Sequence, residues 1–339
     1  MTSKPQASTS AFHLDEPAFL QKVPFAIHPT SLHGAYSVPA PPDSMDLKSA
    51  SQSDLIKHGI LFRQPQAGDP PAVQAAWNAF LARKWMAADR IVPVMQVQKG
   101  VTHNRRRQPT LAPGSNSNYN DNAWAGAGTK TGKWTSIIGT WNVPTVSKPP
   151  EAQGTEGGWN SSSWVGLDGF FYTNDVLQAG IQQHVAANGS VFYVAWYEWY
   201  APITAGSPGY VYQTNIANFP ISPGNQISVS VQYVGTTAGS ISMGNNTTGK
   251  HFSITLAPPP GASFNGGSCE WIMEAPDGGE PTSSLPRFTP VTFTSALACG
   301  NNAFANPQSG DTLNIVNAAG KILTQTSVGL DTTTITFIG

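Results

Sequence analysis

Charge is what this chain has least of. Only 11% of its 339 residues are Asp, Glu, Lys or Arg, against roughly 25% in ordinary soluble domains. The net charge of −1 gives no reason to expect nucleic acid or a membrane as partner. Cysteine is almost missing, with Cys269 and Cys299 alone. They allow either one disulfide across a loop of about thirty residues or two buried thiols. No window reaches the roughly 18 uncharged apolar residues of a membrane helix. Asp15, Glu16, Pro17 and Lys22 interrupt the start of the chain, so no secretory signal is expected there.

The usual marks of catalysis are missing too. There is no HExxH, and residues 111–339 hold just two histidines, His184 and His251. Each reads as an ordinary strand histidine, so no metal is expected. No GxSxG elbow appears, and no glycine-rich phosphate loop. Asp168-Gly169-Phe170 does not make the Asp-Thr/Ser-Gly turn of an aspartic peptidase. A cysteine nucleophile has no histidine placed by sequence to activate it.

Glycine (33), proline (28) and aromatics (10%) are what the chain does have. That is too aromatic for disorder and lacks the fixed glycine period of collagen. From about Trp124 short alternating segments are broken by Gly, Pro and Asn. Strands are expected over residues 134–143, 176–183, 191–200, 227–234, 252–256, 269–274, 291–295, 313–316 and 332–338. With no helical crossovers, they imply an all-β antiparallel sandwich or barrel.

The charge divides in two. Residues 1–110 hold twelve Lys and Arg against seven Asp and Glu, a charge of +5, and the remainder carries −6. Asymmetry of this kind suggests two regions with different tasks. The first region carries the one convincing helix, with Asp69 as N-cap and Pro70 and Pro71 in the first turn. Val73, Ala76, Trp77, Phe80, Leu81 and residues 84–85 make its apolar face. A shorter turn over 53–58 ends at Gly59. The first 50 residues read as extended or poorly ordered, and Arg105–Arg107 and Ser115–Asn120 as an exposed linker.

Polarity is concentrated inside very aromatic strands. In extended backbone Trp196, Glu198 and Tyr200 share one face, as do Glu270, Ile272 and Glu274. A carboxylate among apolar groups is costly unless it is hydrogen-bonded or functional. It is a natural candidate for acid–base work. From residue types alone, a non-catalytic carbohydrate-binding sandwich and structural ion pairs on a sheet face fit equally.

A set of motifs narrows the choice. Asn122-Ala-Trp124-Ala-Gly126, Gly139-Thr-Trp141-Asn-Val-Pro144, Trp164-Val-Gly-Leu-Asp168-Gly169, Leu177-Gln178-Ala-Gly180, Trp196–Tyr200 and Glu270-Trp271-Ile272 occur in this order. Together they resemble the glutamic peptidase (eqolisin) family from about residue 122 to the end. The resemblance implies a lectin-like sandwich of two large antiparallel sheets. It implies a catalytic pair, Gln178 and Glu270, in a concave face that Trp164, Asp168, Trp196, Glu198 and Tyr200 line or support. It also implies acid-acting cleavage of proteins and peptides, with no cofactor or metal, by a secreted and monomeric enzyme. Residues 1–117 would then be a prosegment and 118–339 the peptidase domain. Val194 and Gln182 stand where fungal members often carry acidic residues.

Overall fold

The computed structural model describes residues 22–339 apart from 83–84, 100, 102, 104–108, 131, 150–157, 171–174, 202–211, 277–284 and 301–302. Among the described residues, two ten-stranded sheets face each other. The first runs His28–Pro29, Ala35–Ser37, His251–Leu256, Ala238–Asn245, Gln226–Val234, Trp134–Asn142, Val291–Gly300, Thr333–Phe337 and Thr324–Val328, with Phe304–Ala305 beside Val291–Gly300. The second runs Met95–Val97, Thr214–Ile216, Val191–Tyr200, Val176–Val185, Trp159–Leu167, Cys269–Glu274, Trp124–Thr129, Asp311–Ile315, Asn118–Asp121 and Thr110–Leu111. The pairing is antiparallel except between Asn118–Asp121 and Asp311–Ile315. The expected antiparallel sandwich is therefore the fold.

Alternation along each strand builds the core between the sheets. Ile227, Val229 and Val231 of the first sheet and Val165, Leu167, Leu177 and Ala179 of the second join one buried cluster. Two indoles tie the layers together. Trp141 Nε1 donates to Ser163 Oγ at 2.9 Å, and Trp271 Nε1 donates to the Ile138 carbonyl at 2.8 Å. Cys269 and Cys299 are free, buried thiols rather than a disulfide, and burial pushes both upward in pKa.

The described residues before 118 wrap this sandwich. His28–Pro29 and Ala35–Ser37 extend one edge of the first sheet, and Met95–Val97 extends an edge of the second. A short helix α1 (Gln52–Lys57) starts at Ser51, whose hydroxyl accepts from the Asp54 N–H. Helix α2 (Pro71–Leu81) buries Val73, Ala76, Trp77, Phe80 and Leu81 against Ile138, Leu297 and Cys299. Each fully buried large side chain is worth about 1.5–3 kcal/mol. The expected N-cap is displaced by one residue. Pro70 stands at the cap with no side-chain bond, because Asp69 is engaged by Arg63 and by the Gln66 N–H. Trp85 lies beyond the helix, stacked on His251 at 5.2 Å. Part of the expected linker is strand, since Asn118–Asp121 pairs on both sides. Arg105–Arg107 lie outside the described residues.

The outer face of the first sheet is polar although it is covered. Ser228, Ser230, Gln232, Ser240 and Thr255 are all buried. The Leu61 N–H donates to Gln232 Oε1 at 2.9 Å. Between this face and the N-terminal residues lies a cavity of about 300 Å³, lined by Val38, Phe80, Trp85, Ser230, Gln232 and Ser242 among others.

Candidate active site

The pleat places the polar residues of the second sheet in rows. Residue i and its neighbours at i ± 2 share a face, and register sets which strands bring theirs side by side. One row runs Gly128, Glu270, Gly166, Gln178 and Glu198 across five neighbouring strands. The next row on the same face runs Gly126, Ile272, Trp164, Gly180 and Trp196. A third holds Trp124, Glu274, Ser162, Gln182 and Val194. The opposite face of these strands is the apolar core.

Glycine makes room for the functional side chains. A Cβ on Gly166 would stand 3.1 Å from Glu270 Oε1, 3.3 Å from Gln178 Cβ and 2.9 Å from Trp164 Cζ3. Gly180 lies under Trp164 so closely that a Cβ there would come 2.5 Å from Trp164 Cβ. The indoles are themselves fixed. Trp164 Nε1 donates to Glu274 Oε2 at 2.7 Å and Trp196 Nε1 to Ser162 Oγ at 2.8 Å. Trp124 meets Trp164 edge-on at 4.8 Å.

Gln178, Glu270 and Glu198 are fully buried. Gln178 Nε2 donates to Glu198 Oε2 at 3.2 Å and to the backbone carbonyl of His103 at 2.5 Å. Gln178 Oε1 has no hydrogen-bond partner among the described residues. Burial drives the Glu198 carboxyl up to about 8, with His103 pulling it down and Glu274 pushing it further up. Glu198 is therefore a neutral acid below that pH.

His103 was not visible as a site residue in the sequence, yet it sits at the centre. Its N–H donates to Glu198 Oε2 at 2.7 Å. Its ring stacks on Trp196 at 3.8 Å and 8°. Nδ1 lies 2.8 Å from Glu274 Oε2 and Nε2 lies 2.6 Å from Gln213 Oε1. Burial opposes charge on this imidazole, but Glu274 together with the weaker effects of Glu198 and Gln213 holds its pKa above the ordinary value. A lone histidine in a polar stretch carries no periodic or spacing signal, and only the fold brings it here.

Of the seven residues expected at the site, Gln178, Glu270, Trp164, Trp196 and Glu198 share the two central rows. Tyr200 ends the Val191–Tyr200 strand, opposite Val176 and half-buried. Asp168 stands apart. Its carboxylate accepts from Tyr233 Oη at 2.7 Å and from the N–H groups of Gly266 and Gly267 at 2.8 and 2.7 Å. Its φ of 70° turns the chain there. Its visible task is to anchor a loop to the other sheet. Among the described residues no cluster fit to hold a metal ion is found.

Comparison with known proteins gives a consistent answer. The model of the Peptidase A4 family matches residues 122–337. Aspergillopepsin-2 of Aspergillus niger is 30% identical over 258 residues, covering 69% of this chain and 87% of that protein. Scytalidopepsin B of Scytalidium lignicola is 30% identical over 151 residues, 44% of this chain and half of its own length. The fold is similar to scytalido-glutamic peptidase bound to a transition state analog inhibitor. The TM-score is 0.53 at 23% identity, over 64% of this chain and 98% of the other.

Proposed function

The chain belongs to the Peptidase A4 family and is a peptidase, and from that premise we propose that it is an acid-acting endopeptidase working through Glu270 and Gln178. The observation that carries this reading is their placement on either side of Gly166, with no side chain between them. As carboxylate, Glu270 takes a proton from water while the water oxygen bonds to the scissile carbonyl carbon. When the C–N bond breaks, the same proton passes to the leaving nitrogen. Gln178 cannot titrate, so its work is hydrogen bonding. Its Nε2 stabilises the developing oxyanion, and its Oε1 orients the water. No metal, cofactor or covalent intermediate is required. The substrates are proteins and peptides, and the enzyme acts as a secreted monomer. The sugar-binding alternative has no need of this particular pair.

We also infer that residues 1–117 form an inhibitory prosegment. His103 occupies the space in front of Gln178 and takes its Nε2 hydrogen bond. The sheet face beneath α1 and α2 is serine- and glutamine-rich, as suits a surface that later meets water. Incubating the chain with denatured casein or a quenched peptide library across pH 2–7 tests the proposal. Cleavage confined to the acid side supports it. No cleavage at any pH, after removal of the N-terminal region, would sink it.

A further inference from the structure

The outer face of the first sheet carries a second array of polar side chains, under the cavity of about 300 Å³. Register builds its floor. Ser230, Ser242 and Ser253 stand side by side on three neighbouring strands, and the hydroxyls of Ser242 and Ser253 hydrogen-bond at 2.8 Å. The adjoining row on one side holds Gln232 and that on the other holds Gly244 and His251. The Trp85 indole lies flat over the gap at Gly244, where a Cβ would come 2.1 Å from Trp85 Cε2. The N-terminal residues contribute Met45, Leu47, Phe80 and Leu81. The cavity therefore has a hydroxyl floor, an apolar cover and an indole at one end.

Arg90 adds charge to this lining. Its Nε donates to the Val38 carbonyl at 2.9 Å and its Nη2 donates to Ser37 Oγ, which together fix the guanidinium plane. Among the described residues no carboxylate pairs with it, and burial lowers its pKa with no neighbouring anion to oppose the effect. A half-buried cation left in this state is costly until an anion meets it. Asp43 and Asp46 are the acidic groups of the lining, and both are exposed. Each is engaged elsewhere, Asp43 by the Ala87 N–H at 2.7 Å and Asp46 by the Lys48 N–H and the Ser49 hydroxyl.

A guanidinium reads a carboxylate as a planar fork. Serine and glutamine side chains both donate to and accept from hydroxyls, and an indole offers an apolar face to a ring. We propose that this cavity is a binding site for a sugar acid, a pyranose carrying a carboxylate, with Arg90 on the carboxylate, the serine row and Gln232 on the hydroxyls, and Trp85 against the ring. The volume lies at the lower end of the range for small-molecule sites, which suits a monosaccharide. A fatty acid would match Arg90 and the apolar cover but would bury the hydroxyl row against methylene groups. A neutral sugar would leave the Arg90 charge uncompensated. Both sheets separate this site from Glu270 and Gln178, so it does not rest on the catalytic reading. Its walls come from both regions of the chain, and an occupant stabilises their docked arrangement by mass action.

Calorimetric titration of the full chain at pH 6 tests this, with galacturonate and glucuronate each compared with its neutral parent sugar, and with octanoate as a carboxylate without hydroxyls. The better sugar acid should bind about tenfold more tightly than its parent, the margin of a charge-assisted bond, and should raise the temperature of unfolding. Arg90→Gln should erase that margin. Because Arg90 also holds Val38, a second variant leaves it in place: Ser242→Val keeps a strand-forming residue, removes one floor hydroxyl and should weaken the sugar acid about fivefold. No binding of either sugar acid up to about 10 mM overturns the proposal, as does a neutral sugar or octanoate that binds equally well. Binding undiminished in both variants would place the ligand elsewhere and overturn it too.

Discussion

Gln178 and Glu270 lie on different strands but share one cross-strand neighbour, Gly166. The Trp159–Leu167 strand runs between theirs, and at this row it presents a hydrogen where any other residue would present a side chain. An amide and a carboxylate consequently face each other over open backbone. The distance between them is set by two strand spacings rather than by flexible loops, and such rigid placement is what positional catalysis needs.

Gly166→Ala is therefore expected to damage activity more than folding. Its Cβ would press on Glu270 Oε1 and on Trp164. A displacement on the 1 Å scale costs about 10²-fold in rate. Peptide hydrolysis should fall by about that factor in kcat, with a melting temperature that still reports a folded sandwich. Undiminished kcat in this variant would show that the gap plays no part in the chemistry.

The pair itself makes the sharper test. Glu270→Gln keeps the size and removes the proposed base, so turnover should disappear while the fold stays intact. Gln178→Ala removes the proposed oxyanion donor and should cost about 10²–10³-fold in kcat. Gln178→Glu should retain part of the activity in acid, where a protonated carboxyl still donates. Full activity in Glu270→Gln refutes the assignment.

The aromatic strands were the legible part of the sequence. Val191–Tyr200 and Cys269–Glu274 match their expected bounds, because bulky alternating residues satisfy both sheet propensity and the core. The strand that pairs Cys269–Glu274 with Val176–Val185 was not foreseen. Trp159–Leu167 reads Trp-Asn-Ser-Ser-Ser-Trp-Val-Gly-Leu. Its serines and glycine serve hydrogen bonds to Trp141 and Trp196 and the gap at Gly166. Residues chosen for such local contacts carry a weak strand signal. Ala238–Asn245 was hidden for the same reason, with small residues on both faces. His103 was illegible in a different way. Its partners Glu198, Gln213 and Glu274 lie 95 to 171 positions away.

The docked state of His103 should depend on pH with a definite sign. Glu198 is raised by burial from 4.5 to about 8, and His103 is raised by its pairing with Glu274 and its neighbours against the cost of burial. In both cases the docked form holds a proton that the open form releases earlier. Through these two groups alone, linkage favours docking most below the ordinary pKa of each and less as pH climbs through the shifted one. From about pH 5 to 8 the N-terminal region should become easier to cut by an added protease, measured at a fixed protease ratio. Glu198→Gln should flatten much of that slope. Susceptibility that falls as pH rises would contradict the sign.

Strong acid should also release the N-terminal region, by a different route, and expose a working peptidase. Residues 1–110 carry +5 and the rest −6. Below about pH 4 carboxylates as a class lose their charge while Arg and Lys keep theirs. The attraction between the two regions then fades. The contacts of α2 with Ile138 and Leu297 do not titrate, so acid alone should loosen the segment without fully detaching it. Cleavage after His103 or in the following linker would complete the release, and the serine-rich sheet face would then be hydrated without penalty. Incubating the full chain at pH 3–4 and at pH 7, and following N-terminal cleavage alongside peptide hydrolysis, tests this directly. Activity should appear in acid together with loss of the N-terminal region, and His103→Ala should shorten the delay. A full-length chain that is already maximally active, and that stays uncut in acid, would identify the region as a permanent part of the enzyme.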